Sequence, residues 1–311
     1  MYIKIGTRSS KLAMWQAQYV QKLLTQAGIS SILVPVLTKG DKILDVSLSK
    51  IGSKGLFTEE LELQLKTGEI DLAVHSAKDL QSILSADFKI IAYTHRELVH
   101  DVVLSLHGNN TLTYANAHKL RVGSSSTRRI AFIKRYYPDI QIVNMRGNLQ
   151  TRLQKLTDGM ADAMLLAYAG VHRMQMQGHI TETLSIDSFV PPAGQGSIAV
   201  ECTTRMDEAI KNAIRNAVND TKTEICIQAE RNFLATIDGG CSVPVFCHAC
   251  FIDNERIFLR GGIISLDGHK ICIQYLTVFV DNAIKAGEIL AKKVLRTGGK
   301  EILDEIKNRG L

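Results

Sequence analysis

A repeated phrase constrains this chain more than any other feature. "TGEIDLAV" (67–74) and "DGMADAML" (158–165) each set a glycine, a short link ending in aspartate and an apolar run in the same order. Glycine ends helices by taking the left-handed backbone, and a short unbroken apolar run is the pattern of a strand buried on both faces. The text before each copy also matches. "YIKIGTRSSKLAMWQAQYVQKLLTQAG" reads as strand, serine loop and helix, with Ser9 or Ser10 as N-cap and Gly28 as stop. Leu12, Ala13, Tyr19, Val20, Leu23 and Leu24 fall near helical spacing. "SILVPVLT" is a second strand, and a helix capped by Thr58 and stopped near Gly68 leads to the buried strand Leu72 to Val74. From Leu120 the grammar returns in "LRVGSSSTRRIAFIKRYYP" and "DIQIVNMRGNLQTRLQKLTDGMADAMLLAYAG". Alternating β and α predicts mostly parallel sheets, and two copies predict two similar α/β lobes with a cleft between them.

After "SFVPPAGQGSIAVEC", whose Pro191, Pro192, Gly194 and Gly196 suggest a hinge or crossing, the chain changes character, and a boundary is placed near residue 218. Beyond it lie a helix over "TEICIQAERNFLATI", three strand-like runs with an Asp267-Gly268 turn, and a helical tail from Asn282 to about Arg296. The expected division is 1–97 with 194–217 as one α/β lobe, 98–193 as the second, and 218–311 as a small α+β domain. A chain of 311 residues can bury a core in each.

No apolar run reaches the length of a membrane span, and the opening residues read as strand and loop, not as a signal peptide, so a cytoplasmic protein without a membrane partner is expected. Six cysteines between 202 and 272 in so long a chain are expected as thiols. Net charge is +6, which could suit nucleic acid, but aromatics are only 6% and none sits in the arginine-bearing loops. A small polyanion fits better, and no nucleic-acid partner is expected.

Three basic clusters, "TRSS" (7–10), "SSSTRR" (124–129) and "RGNLQTR" (146–152), fall where strands end and helices begin. Open sheets bind ligands there, helix N-termini favour anions, and the arginine fork pairs bidentately with carboxylate. "VHSAKD" runs a buried strand out into Ser76, Lys78 and Asp79, where a carboxylate beside a lysine can act as acid or base, or as an ordinary surface ion pair. "KGLFTEELE" lacks a nucleotide-loop pattern. "CHAC" (247–250) points its cysteines to opposite faces of a strand and has no second pair at finger spacing, so no metal is expected. His75 reads as a core or supporting residue. Cys241, bared by Gly239 and Gly240, could be a nucleophile if nearby cations stabilise its thiolate, but the motif holds no paired histidine to serve as base.

The words "TRSSKLAMWQA", "GDKILD", "GSKGLFTEELE", "DLAVHSAKD", "VGSSSTRR", "MRGNLQTRL", "DAMLLAYAGVHR", "PPAGQGSIAVEC" and "ERNFLATIDGGCSVP" occur in register along essentially the whole chain. Together they resemble the hydroxymethylbilane synthase, or porphobilinogen deaminase, family. The resemblance implies two lobes like type II periplasmic binding proteins plus the α+β domain. It also implies a monomer and one covalent dipyrromethane cofactor per chain, held by a thioether at Cys241. Four porphobilinogen units would be joined head to tail to it with loss of ammonia, and hydrolysis would release hydroxymethylbilane.

By the same resemblance Ser76, Lys78, Ser124, Ser126, Arg128, Arg129, Arg146 and Gly147 would hold the cofactor. Arg8, Ser10, Arg146, Arg152 and Arg173 would serve substrate and growing chain. Asp79 would be the catalytic carboxylate, accepting pyrrole N–H bonds and stabilising developing positive charge. Departures from the family pattern at Lys11, Ser53 and 80–82 remove none of these residues. The reading from another class is a non-catalytic two-lobed module that binds a small acidic ligand.

Overall fold

The computed structural model describes residues 2–38, 58–108, 110–113, 117–238 and 243–308. In chain order the elements begin with β1 (Ile3–Arg8), α1 (Lys11–Gln26), β2 (Ser31–Val36), α2 (Glu59–Thr67), β3 (Leu72–Ser76), β4 (Phe88–Tyr93) and β5 (Asp101–Leu104). Next come β6 (Arg121–Gly123), α3 (Thr127–Tyr136), β7 (Gln141–Val143), α4 (Leu149–Thr157), β8 (Ala163–Ala167), α5 (Tyr168–Arg173) and β9 (Ile180–Thr183). The rest are β10 (Ile198–Thr203), α6 (Glu208–Val218), α7 (Thr221–Ile237), β11 (Val245–Phe251), β12 (Arg256–Ile264), β13 (Ile271–Phe279), α8 (Ala283–Val294) and α9 (Lys300–Asn308). The described residues divide into two compact units, one of residues up to 38, 58–97 and 194–225, the other of 98–193 and 226–308.

The first unit is built on a five-stranded sheet of order β2-β1-β3-β10-β4. β1 runs parallel to β2 and β3, whereas β10 is antiparallel to both of its neighbours. Val20 and Leu24 of α1 and Ile214 and Val218 of α6 pack on one face with Leu72 and Val74. Leu61 and Leu65 of α2 pack on the other with Ala73 and Ile70. The period of two along β3 therefore sends alternate residues to different helices.

The second unit repeats this plan in the order β7-β6-β8-β5-β9, with β5 as its antiparallel strand. The likeness extends to single hydrogen bonds. Asp71, ahead of β3, accepts from the Lys4 amide at 2.7 Å and donates its own amide to Lys4 O at 2.9 Å. Asp162, ahead of β8, does the same with Arg121 at 2.8 and 2.9 Å. These are the aspartates that close the link in each repeated phrase. Each clamps a strand to its parallel neighbour, which is why the phrase recurs.

The antiparallel sheet β11-β12-β13 completes the second unit. Phe132 of α3 packs its ring 5.5 Å from Phe189 and 5.1 Å from Phe246 of β11. Arg135 donates to Gly268 O and His269 O, both at 3.2 Å, so the β12–β13 turn sits on the end of α3.

Two expectations need correction. Thr58 occupies the N-cap position of α2 but makes no capping side-chain bond; its Oγ1 instead accepts from Gln81 Nε2 at 3.3 Å. The tail is two helices, because Gly298 at φ +112° breaks the chain after α8 and lets Ile302, Leu303 and Ile306 of α9 be buried.

Candidate functional site

In the first unit the candidate residues gather at the carboxyl ends of β1 and β3. Arg8 is the last residue of β1, and Ser10 caps α1, its Oγ accepting from the Ala13 amide at 3.4 Å. β3 ends at Ser76, whose Oγ lies 2.9 Å from Gln16 Nε2 and 3.2 Å from Gln16 Oε1. A 3₁₀ turn, Ala77–Asp79, follows directly. It is held from below, since the Ala77 amide donates to Ser197 O at 3.0 Å and Lys78 Nζ donates to Gln195 Oε1 at 3.3 Å.

Gly194 lies flat against this turn. It sits at φ +75°, and a Cβ there would stand 2.8 Å from Ala77 C and 2.9 Å from Lys78 N. Only glycine fits so close an approach at positive φ. Asp79, at the end of the turn, is exposed.

His75 takes the supporting place expected of it. It is buried, with Nε2 2.9 Å from Oε2 of the fully buried Glu201. Glu62 of α2 lies near this pair. Burial pushes its carboxyl above the ordinary value, against a lowering hydrogen bond from Thr58, with the Glu201 charge adding to the rise.

In the second unit the corresponding strand ends carry the arginines. Ser124 follows β6, is buried, and its Oγ accepts from the Ser126 amide at 3.3 Å. Ser126 caps α3, its Oγ accepting from the Arg129 amide at 3.5 Å. Arg128 and Arg129 are buried in the first turn of α3. Both converge on Asp101, the first residue of β5. Arg128 Nη2 donates to its Oδ2 at 2.6 Å, and Arg129 Nη2 and Nε donate to its Oδ1 at 2.8 and 3.1 Å. Arg128 Nη1 also donates to Val190 O at 2.8 Å and Arg129 Nη1 to Leu165 O at 3.1 Å. Burial alone would raise the Asp101 carboxyl, but the two guanidiniums outweigh it and hold the group well below the usual range.

Arg146 follows β7. Its carbonyl accepts from Lys155 Nζ at 3.2 Å, while its Nη1 is buried without a hydrogen-bond partner. Gly147 has φ +114°, with the Thr151 side chain where a Cβ would go, 2.7 Å away. Asn148 then caps α4, accepting from the Thr151 amide at 3.0 Å. Arg152 lies in the first turn of α4, and Arg173 ends α5 in a buried position.

Cys241 lies outside the described residues. Cys202, Cys226, Cys247, Cys250 and Cys272 are thiols. Among the described residues no group of histidine, cysteine and carboxylate side chains is placed to hold a metal, and no helix is long and apolar enough to cross a membrane.

Sequence reasoning passed over Asp101. The available signal was the single acid opening the apolar run "DVVL", ahead of two consecutive arginines that no other nearby charge balances.

Fold and site together define an α/β protein that sets arginines, hydroxyls and one lysine–aspartate turn at the strand ends of two similarly ordered sheets. Residues 3–212 match the family model "Porphobilinogen deaminase, dipyromethane cofactor binding domain", and 224–296 match "Porphobilinogen deaminase, C-terminal domain". The porphobilinogen deaminase of Cytophaga hutchinsonii is 50% identical over 98% of this chain and 97% of its own. That of Desulfosudis oleivorans is 45% identical over 99% of each. An arginine transport system periplasmic binding protein from Legionella pneumophila is similar at 14% identity and TM-score 0.40, over 70% of this chain and 91% of that one. The chain belongs to the porphobilinogen deaminase family.

Proposed function

We propose that this chain joins four porphobilinogen molecules head to tail, releasing ammonia, and hydrolyses off the linear tetrapyrrole hydroxymethylbilane. The observation that carries the reading is the Ser76–Asp79 turn. Ser76, Ala77 and Lys78 are tied down, by Gln16, Ser197 and Gln195, and Asp79, the most exposed residue of the turn, closes it. A fixed carboxylate can accept hydrogen bonds from pyrrole N–H groups and move protons at its oxygens without reorganising.

Dipyrromethane, when bound, supplies the free pyrrole ring to which new units are added. The residues present fit a group that bears carboxylates. Arg146 has a buried, unspent donor, and Ser124 is a buried hydroxyl. Ser76, Lys78, Ser124, Ser126, Arg128, Arg129, Arg146 and Gly147 would hold the cofactor, with Cys241 as its thioether anchor. Arg8, Ser10, Arg146, Arg152 and Arg173 would bind the carboxylates of substrate and growing chain by bidentate forks. We further assign the working parts as 1–97 with 194–217, 98–193 and 218–311, in a cytoplasmic monomer.

Intact mass spectrometry tests the reading. The purified protein should exceed its sequence mass by two linked pyrroles, the excess should vanish in Cys241→Ser, and the parent should consume porphobilinogen. A folded protein that carries no adduct, acquires none from porphobilinogen and consumes none would instead be a binding module.

A further inference from the structure

Arg128 and Arg129 are consecutive, buried and both positive, an arrangement that repels itself unless something opposes it. Asp101 opposes it from a strand 27 and 28 residues away, with one oxygen given to each arginine. Among the described residues the ion pairs set two guanidiniums against one carboxylate, an excess of one positive charge. That excess lies at the N-terminus of α3, where the helix dipole adds to it. Hydrogen bonding is also incomplete. Among the described residues, bonds to Asp101, Val190 and Leu165 use two N–H donors of Arg128 and three of Arg129, out of the five that each guanidinium carries. The bonded edges are fixed to β5, β8 and the segment after β9, so neither fork can rotate to follow a ligand.

We propose that Asp101 is a positioning residue for the cofactor: it locks Arg128 and Arg129 into one rigid pair and cancels one of their two charges, leaving a single positive charge and the unspent donors for a ligand carboxylate. The inference rests on the proposed assignment of these arginines to dipyrromethane. Without Asp101 the two guanidiniums would repel each other and lose their common reference point. With glutamate the charge would survive, but the extra methylene would displace both forks by about 1 Å, a misplacement that costs on the order of 10²-fold in rate.

The test compares Asp101→Asn and Asp101→Glu with the parent by intact mass, before and after incubation with porphobilinogen, and by kcat and KM. Asp101→Asn should fold but stay largely without the two-pyrrole excess. Asp101→Glu should carry it and show kcat reduced about 10²-fold with KM little changed. Should the asparagine variant not fold, the glutamate variant decides. A purely structural carboxylate predicts a fully loaded glutamate variant with parental kcat, and that result overturns the proposal, as does a fully loaded, fully active asparagine variant. A parent without the adduct overturns the cofactor reading itself, and this proposal with it.

Discussion

His75 Nε2 and Glu201 Oε2 stand 2.9 Å apart with side chains 4% and 0% exposed, joining β3 to β10 just below the turn that carries Lys78 and Asp79. The register places Ala199 opposite His75 and Glu201 opposite Ala73, so the contact is a diagonal across the sheet. Glu201 Oε1 has no hydrogen-bond partner, so this carboxylate depends on the histidine. Removing one partner strands the other in the core. His75→Ala and Glu201→Ala should each cost about 1–3 kcal/mol, and the double variant should cost less than the sum. Urea denaturation of all four proteins measures the coupling; strictly additive losses would count against it.

Gly194→Ala should injure activity more than stability. The added methyl would meet Ala77 and Lys78 backbone within 3 Å, and positive φ disfavours any side chain there. The turn, one residue from Asp79, is the part that must give way. A kcat fall of about tenfold or more, with a Tm shift of only a few degrees, is the expected pattern.

On the proposed reading, Asp79→Asn leaves the cofactor contacts in place and removes the charge. The variant should keep the two-pyrrole mass and lose turnover by about 10²- to 10⁴-fold, the usual worth of a positioned acid–base group. Near-parental activity in the loaded variant would take the catalytic role away from Asp79.

Glu62 ties stability to pH in a direction set by its burial. Its folded value is raised, so the folded state holds the proton more tightly than the unfolded chain. The associated stability is complete below the unfolded value of about 4.3 and is lost as pH rises through the folded value. Glu62→Gln cannot ionise. It should therefore melt at a higher temperature than the parent at pH 7, with the advantage shrinking as pH falls toward 4, in parallel thermal scans.

Local elements were legible because their causes are local. Ser10 at the start of α1, Gly68 in the left-handed cap of α2 and the buried run of β3 each follow from a few adjacent residues. The expected tail stops near Arg296 and omits the second helix, to which Gly298 redirects the chain. Thr58 was misread because a hydroxyl at a cap position can be claimed by a distant amide, here Gln81.

What the sequence by itself determined is the double α/β plan, the glycine stop and buried run of each repeated phrase, and the types of residue placed at the strand ends. Spacing and side-chain chemistry carry that information over short stretches. Only the tertiary structure decided that β10 and β5 enter their sheets antiparallel, that Gly194 seats the Ala77–Lys78 peptide, and that Asp101 takes both Arg128 and Arg129. Each of these pairs residues far apart in sequence, and no local period encodes which buried charge or bare backbone a distant strand will meet.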